Sequence, residues 1–287
     1  MKQILLALLL VAAAAAAAEP RHFPDLVYSR AGGQELMLDL ELPETPATPV
    51  PVVLMLHGGS WSSGSRADFT SPELVENGFA VATVDYRLAP DFKFPSNIQD
   101  VKAAVRFLRA HAGEYQLDKN RFGAWGSSAG GHLVALLGLA GPAAGWDVGE
   151  NLDQSSAVQA VVDWFGPTNF LGLDGAPTSS RETVARAFGN DSLVWRQGSP
   201  LFMVHTGAPP FLIMHGRRDK LVPLQQSQIL HDSLSQAGGS SRLVVVENAG
   251  HTFRPDGGSP EPSEPKLRQQ VVKFFQDSLS NDRQSTR

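Results

Sequence analysis

Three residues in this chain have the types, order and settings needed to make a serine attack a carbonyl carbon. They are Ser128 in Gly126-Ser127-Ser128-Ala129-Gly130, Asp219 in Met214-His215-Gly216-Arg217-Arg218-Asp219, and His251 in Asn248-Ala249-Gly250-His251. A hydroxyl is a poor nucleophile near neutral pH. It needs a base within hydrogen-bond reach, and a carboxylate to hold that base in the correct tautomer. On this reading Ser128 attacks, His251 carries the proton, and Asp219 orients His251. The flanking glycines fit a sharp strand-to-helix turn, where a larger side chain two positions from the serine would strike its neighbours. Ser127 would point away from the apex of such a turn.

The charge that develops on the attacked oxygen needs donors aimed at it. The Ala129 N–H follows the nucleophile, and His57-Gly58-Gly59-Ser60 supplies a second loop, with Gly59 and Ser60 as the donors. Glycine lets a backbone turn its N–H groups inward without a Cβ in the way.

Plainer roles compete for these residues. Serine commonly caps helices, but Ser128 lies within a set of glycine-marked loops, each following an apolar run. Asp163 also ends a strand. Its setting, Asp163-Trp164-Phe165-Gly166-Pro167, suits a structural hydrogen bond to the loop that follows, so Asp219 is the expected acid. Among the other histidines, His57 is expected to shape the oxyanion loop, His132 to pack or act behind the site, and His215 to bond locally. His22, His111 and His231 fall on surface segments, and His205 has no assigned role. Trp61 and Trp164 are candidates for the pocket wall, although buried tryptophan more often belongs to the core. Asp85-Tyr86-Arg87 is expected to lock a loop through an internal charge pair. Asp147, Glu150 and Asp153 lack the spacing of a calcium loop and are expected to be solvated; no metal or cofactor is implied.

The elements that must hold these residues can be read from periodicity. Val27 to Arg30 and Glu35 to Leu42 flank Gly32-Gly33 and predict an antiparallel hairpin. Val50 to Leu56, Ala80 to Val84, Arg121 to Trp125, Ala157 to Val162, Phe211 to Met214 and Arg242 to Val246 are short apolar runs, the pattern of parallel strands covered on both faces. Helices are predicted over Ser71 to Asn77, from Ser96 toward Gly113, over His132 to Leu139, over Leu224 to Ala237 and from Pro265 onward. Ser96 and Gln99 read as a capping box. The last helix is expected to bury Leu267, Val271, Phe274 and Leu279. Alternating strands and helices give an α/β fold with helices on both faces of the sheet. Two stretches break the alternation: Gly141 to Ser156, an acidic loop, and Gly166 to Pro210. The second holds one predicted helix near Glu182 to Phe188, and its length marks it as a functional insertion, here a small cap over the site.

Composition narrows the function classes. The chain has 287 residues, 42% apolar content, 18% charged residues and a formal net charge of −5. That suffices for one large core and offers no basic surface for nucleic acid. There is no cysteine, which excludes a thiol nucleophile and thiolate metal sites. Met1 to Ala18 has a lysine, an apolar run and a small-residue end, the pattern of a signal peptide. Export to the periplasm or medium is expected, with residues 19–287 as a single domain and no membrane association after leader removal.

The order serine, acid, histidine is that of an α/β-hydrolase. His57-Gly58-Gly59-Ser60-Trp61, Asp85 to Pro90, Trp125 to Leu133, Val162 to Thr168 and His215 to Asp219 together resemble bacterial esterases near the hormone-sensitive-lipase group. The branch they are most similar to includes feruloyl and acetylxylan esterases. The resemblance covers about residues 25 to 280. It implies an α/β-hydrolase fold with an eight-stranded, mostly parallel sheet, a serine carboxylesterase activity and no cofactor. Many relatives carry a third glycine where this chain has Ser60, whose side chain could narrow the acyl pocket or add a donor. The implied substrate is a small-molecule or polysaccharide-linked ester with a short acyl group, acetylated xylan or feruloyl esters included. Two alternatives stay open: an amide-type hydrolase, arylformamidase-like or a peptidase, and a non-catalytic binding module on a hydrolase scaffold.

Overall fold

In strand β3 (Val50–Leu56), Val52, Leu54 and Leu56 face one side of the sheet, and Val53 and Met55 face the other. Both sets are fully buried. A strand with a period of two and apolar residues on both faces must be covered twice, and the whole architecture follows that requirement. The computed structural model describes residues 21–44, 48–173 and 177–280. The leader Met1 to Ala18 lies outside the described residues.

In chain order the strands and helices are β1 (Arg21–Ala31), β2 (Gln34–Leu42), β3, α1 (Pro72–Glu76), β4 (Ala80–Val84), α2 (Ser96–Ala110), α3 (Ala112–Tyr115), β5 (Leu117–Ser127) and α4 (Ala129–Leu139). They continue with β6 (Ala160–Trp164), α5 (Thr178–Phe188), α6 (Ser192–Gln197), β7 (Phe211–Gly216), α7 (Gln225–Gln236), β8 (Ser241–Val246) and α8 (Glu264–Ser278). Among the described residues the strands form one eight-stranded sheet ordered β1-β2-β4-β3-β5-β6-β7-β8. The β1–β2 and β2–β4 pairs are antiparallel, and all others are parallel.

One apolar layer joins this sheet to α2, α4, α5 and α7, and the other joins it to α1 and α8. Helix α4 is buried over nearly its whole length. It carries no polar face because it touches both the sheet and the turn at Pro200–Met203, so it is apolar all round as a core helix should be.

Several local expectations are corrected. Pro95, not Ser96, is the residue before α2, and the Ser96 hydroxyl donates to the Lys93 carbonyl instead of closing a capping box. Gly113 does not end that helix: the chain breaks at His111, re-enters α3 and stops at Gln116 with φ 57°. In α8 the buried seam runs Leu267, Val271, Phe275, each one helical turn apart, which leaves Phe274 only half-buried. Strand β6 starts at Ala160 rather than Ala157. Asp147 is not a solvated loop residue, because it pairs with the buried Lys102 at 3.1 Å and the buried Arg106 at 2.7 Å.

Candidate active site

The chain passes from β5 to α4 through Ser128, which sits at φ 54° and ψ −115°. That conformation is strained for a residue with a Cβ and persists only where its surroundings fix it. Here three things do. The Ser128 N–H donates to the Trp164 carbonyl at 2.8 Å. A Cβ on Gly126 would strike the Gly130 carbonyl, and a Cβ on Gly130 would strike the carbonyls of Leu56 and His57. The small residues that frame the serine are therefore demanded by backbone contact on both sides.

Loops after β7 and β8 bring the other two groups to the same end of the sheet. His251 Nε2 lies 3.0 Å from Ser128 Oγ, and His251 Nδ1 lies 2.6 Å from Asp219 Oδ2. With Nδ1–H donating to the carboxylate, Nε2 is free to accept the serine proton. Asp219 Oδ1 accepts the N–H groups of Leu221 at 2.8 Å and Val222 at 2.9 Å. His215 Nε2 lies 2.8 Å from the Val222 carbonyl and 3.3 Å from Asp219 Oδ2, while its Nδ1 meets Ser227 Oγ at 2.7 Å. Burial opposes ionisation of Asp219, but the hydrogen bonds from His215 and His251 hold it well below the usual carboxylate range. It stays charged wherever the protein is folded near neutral pH.

The rival acid, Asp163, is not part of this array. It is fully buried, and its Oδ1 accepts the Gly166 N–H at 2.9 Å, while Oδ2 finds no partner among the described residues. Burial pushes its pKa up to about 6, against the lowering effects of the Gly166 N–H and His215.

The oxyanion loop is the second strained segment. Gly59, Ser60 and Trp61 are consecutive left-handed residues, with φ of 101°, 56° and 57°. Gly59 is closed into a tight turn, where its carbonyl accepts the N–H groups of Ser62 and Ser63 at 3.0 Å each. The Tyr86 hydroxyl donates to the His57 carbonyl at 2.9 Å, and the two rings stack at 4.4 Å. Among the described residues the N–H groups of Gly59, Ser60 and Ala129 have no acceptor. Free amide donors beside a nucleophile are what a developing oxyanion requires.

Asp85, Tyr86 and Arg87 do lock loops, but not through a pair with each other. Arg87 forms a bidentate pair with the buried Asp100, at 2.7 Å for its shortest contact, and Asp85 pairs with Arg66 at 2.5 Å. Arg66 also meets Asp39 at 2.8 Å and Asp25, tying the end of the oxyanion loop to the β1–β2 hairpin.

A recess of about 50 Å3 opens on Ser128. Ser60, Trp61 and Ala129 line one side, and Pro167, Leu173, Ser180, Thr183 and Val184 line another. Leu221 and Val222, just past the acid, complete it. Residues of the 166–210 segment thus form part of the wall. Trp61 lies on the wall of the recess. Trp164 does not: it packs against Trp125 at 4.8 Å, Phe69 and Phe253 in the layer under α8. Its contribution to the site is its carbonyl. Leu173 lies on an irregular stretch and left no sign in the sequence; Thr183 and Val184 lie on α5, a helix the sequence does mark, but nothing there says which of its faces meets the site. Leu221 and Val222 were within reach as the residues that follow the acid. A wider groove of about 1240 Å3 lies along the opposite ends of β5, β6 and β7 and contains none of the triad. It has no reactive array, so the small recess is the candidate site.

Comparison with known proteins gives a consistent picture. The BD-FAE family profile matches residues 38–234. Esterase LipC of Mycobacterium tuberculosis is 34% identical over 223 residues, which is 73% of this chain and 55% of LipC. A probable carboxylic ester hydrolase of the same organism, LipM, is 32% identical over 69% of this chain and 47% of its own. The chain therefore spans about half the length of the curated relatives it matches. Among solved structures, an esterase of Thermogutta terrifontis bound to butyrate superposes with a TM-score of 0.74 at 26% identity, over 92% of this chain and 95% of that one. A truncated carbohydrate esterase from gut microbiota gives 0.73 at 25% identity, over 91% and 97%.

Proposed function

The chain belongs to the BD-FAE family and has the α/β-hydrolase fold, and from that premise we propose that it is a serine carboxylesterase working through an acyl-enzyme. The observation that carries the proposal is the unbroken line Ser128 Oγ, His251, Asp219, at 3.0 and 2.6 Å, facing unpaired amide donors.

Ser128 Oγ adds to the ester carbonyl carbon as its proton passes to His251 Nε2. The carbonyl oxygen becomes an oxyanion held by the N–H groups of Gly59, Ser60 and Ala129. Loss of one such donor typically costs about 3 kcal/mol of transition-state stabilisation. Collapse expels the alcohol, which takes the proton from His251. Water then repeats the sequence: His251 removes its proton, the carboxylic acid leaves, and Ser128 is regenerated. Asp219 stays ionised throughout and stabilises the imidazolium.

The small size of the recess, about 50 Å3, supports a short acyl group. An alcohol carried by a carbohydrate is supported by the likeness to a carbohydrate esterase. The Met1 to Ala18 pattern supports export, and Glu19 as the first residue of protein recovered from periplasm or medium would agree with it. Recovery of the uncut chain from the cytoplasm would count against it.

The test is a series of p-nitrophenyl esters of rising acyl length, run beside acetylated xylan, an aminoacyl anilide and N-formylkynurenine. Acetate and propionate esters should give the highest kcat/KM. Preference for the anilide or the formamide would replace the ester reading with an amide one.

A further inference from the structure

His132 lies four residues past Ser128, on the first turn of α4, and is wholly buried. Its ring nitrogens are both engaged, in opposite directions. The indole N–H of Trp61 donates to Nδ1 at 3.2 Å, and Nε2 lies 2.6 Å from the Gly198 carbonyl. An indole nitrogen only donates and a carbonyl only accepts. The imidazole must therefore be neutral, bare at Nδ1 and protonated at Nε2. Burial, which outweighs the Gly198 carbonyl's opposite pull, lowers its pKa to about 4 and keeps that neutral form over the working range.

The three points it joins belong to three different parts of the site. Trp61 ends the run of left-handed residues that holds the Gly59 and Ser60 donors. His132 stands on the helix that begins at Ala129, the third donor. Gly198 belongs to the segment that covers α4. Left-handed backbone at two consecutive residues with side chains costs roughly 1–2 kcal/mol each, so the loop needs anchors. Its backbone anchor is the Trp61 carbonyl, which accepts the Ala89 N–H at 2.8 Å. The side-chain anchor is His132, whose ring is also held edge-on by Trp61 and Phe188. Among the described residues the buried indole N–H groups of Trp125 and Trp164 find no partner, whereas that of Trp61 is paired with His132.

We propose that His132 is a positioning residue that aligns the oxyanion donors with Ser128, by binding the Trp61 side chain to the nucleophile helix and to the covering segment through Gly198. The inference rests on the esterase reading of the site. Without His132 the Gly59 and Ser60 N–H groups lose their fixed relation to Ala129, and transition-state stabilisation falls while ground-state binding in the recess changes little. Misplacement of about 1 Å at a reacting centre costs on the order of 100-fold.

The test compares His132→Phe, His132→Gln, Trp61→Phe and the His132→Phe/Trp61→Phe double variant. Each is assayed on p-nitrophenyl acetate and on its thiono analogue, in which sulfur replaces the carbonyl oxygen. Sulfur accepts hydrogen bonds weakly, so the oxo-to-thiono ratio of kcat/KM reports how well the oxyanion donors are aimed. His132→Phe should lower kcat on the oxo ester by about 10- to 100-fold with KM within a few-fold, and lower the oxo-to-thiono ratio by a similar factor. Trp61→Phe, which also reshapes the recess wall and can shift KM, should lower the oxo-to-thiono ratio by a similar factor; on that ratio the double variant should be no worse than either, and His132→Gln, which keeps an acceptor and a donor, should recover part of the loss. Equal losses on both esters, additive effects, or unchanged kcat would overturn the proposal. If His132→Phe fails to fold, Trp61→Phe and His132→Gln carry the same comparison. An inactive wild type would refute the esterase reading and this inference with it, whereas an active wild type with unaffected variants would refute only the inference.

Discussion

Asp163 near the end of β6 and Asp219 in the loop after β7 both lie beside His215, and their surroundings drive them apart. Asp219 is met by two backbone N–H groups and two histidines and remains a carboxylate. Asp163 has one N–H donor and is held toward its neutral form. Asp219→Asn should therefore lower kcat on p-nitrophenyl acetate by about 10,000-fold, because it turns His251 toward the wrong tautomer. Asp163→Asn should stay within a few-fold of wild type in the same assay, and a reversal of the two results would transfer the acid role. Ser60→Gly removes a side chain from the recess and strain from φ 56°. It should raise the kcat/KM of butyrate relative to acetate; an unchanged ratio would mean that the Ser60 hydroxyl does not limit the acyl group. The triad residues were legible because each stands in a glycine-marked loop after an apolar run. The two tryptophans could not be separated in that way. The period of two puts Trp164 with Ala160 and Val162, but nothing in the sequence says which face α8 covers.

At the scale of elements, the turn between β5 and α4 is the tightest constraint. A methyl group on Gly130 would run into the backbone of Leu56 and His57, which cannot move without breaking the pairing of β3 with β4 and β5. Gly130→Ala should destabilise the fold by about 3 kcal/mol or more, at or beyond the upper range for overpacking. Thermal melts would show it, and an unchanged melting temperature would mean that the turn has room for a methyl group at Gly130. The central strands were readable because burial on both faces leaves an unbroken apolar run. Helix ends were less so. Ser96 and Gln99 have the right types and spacing for a capping box, yet the Lys93 carbonyl takes the serine hydroxyl. Helix α6 went unseen because it is short and buries no residue; it is marked only by Asp191, whose side chain accepts the Leu193 N–H at 2.8 Å.

Across the whole molecule, the carboxyl of Asp163 links stability to pH. Its folded pKa of about 6 lies above the unfolded value of about 3.9, so the folded state holds the proton to higher pH than the unfolded chain does. Stability from this group is complete below about pH 3.9 and is lost as pH rises through about 6, by at most about 3 kcal/mol. Urea titrations of wild type and Asp163→Asn between pH 4 and 7 should show that fall only in wild type; parallel curves would contradict the assignment. The position of segment 166–210 was the least legible feature at this scale. The helix near Glu182 to Phe188 was readable, but the stretches around it have no period, so nothing told which side chains turn toward the recess. The proposed catalysis depends on acylation of Ser128 Oγ. Treatment with paraoxon followed by peptide mass mapping tests that directly. A single diethylphosphoryl adduct on Ser128, absent in Ser128→Ala and slow to form in His251→Ala, is the expected result. An active, folded enzyme that carries no adduct, or carries it on another residue, would contradict the account.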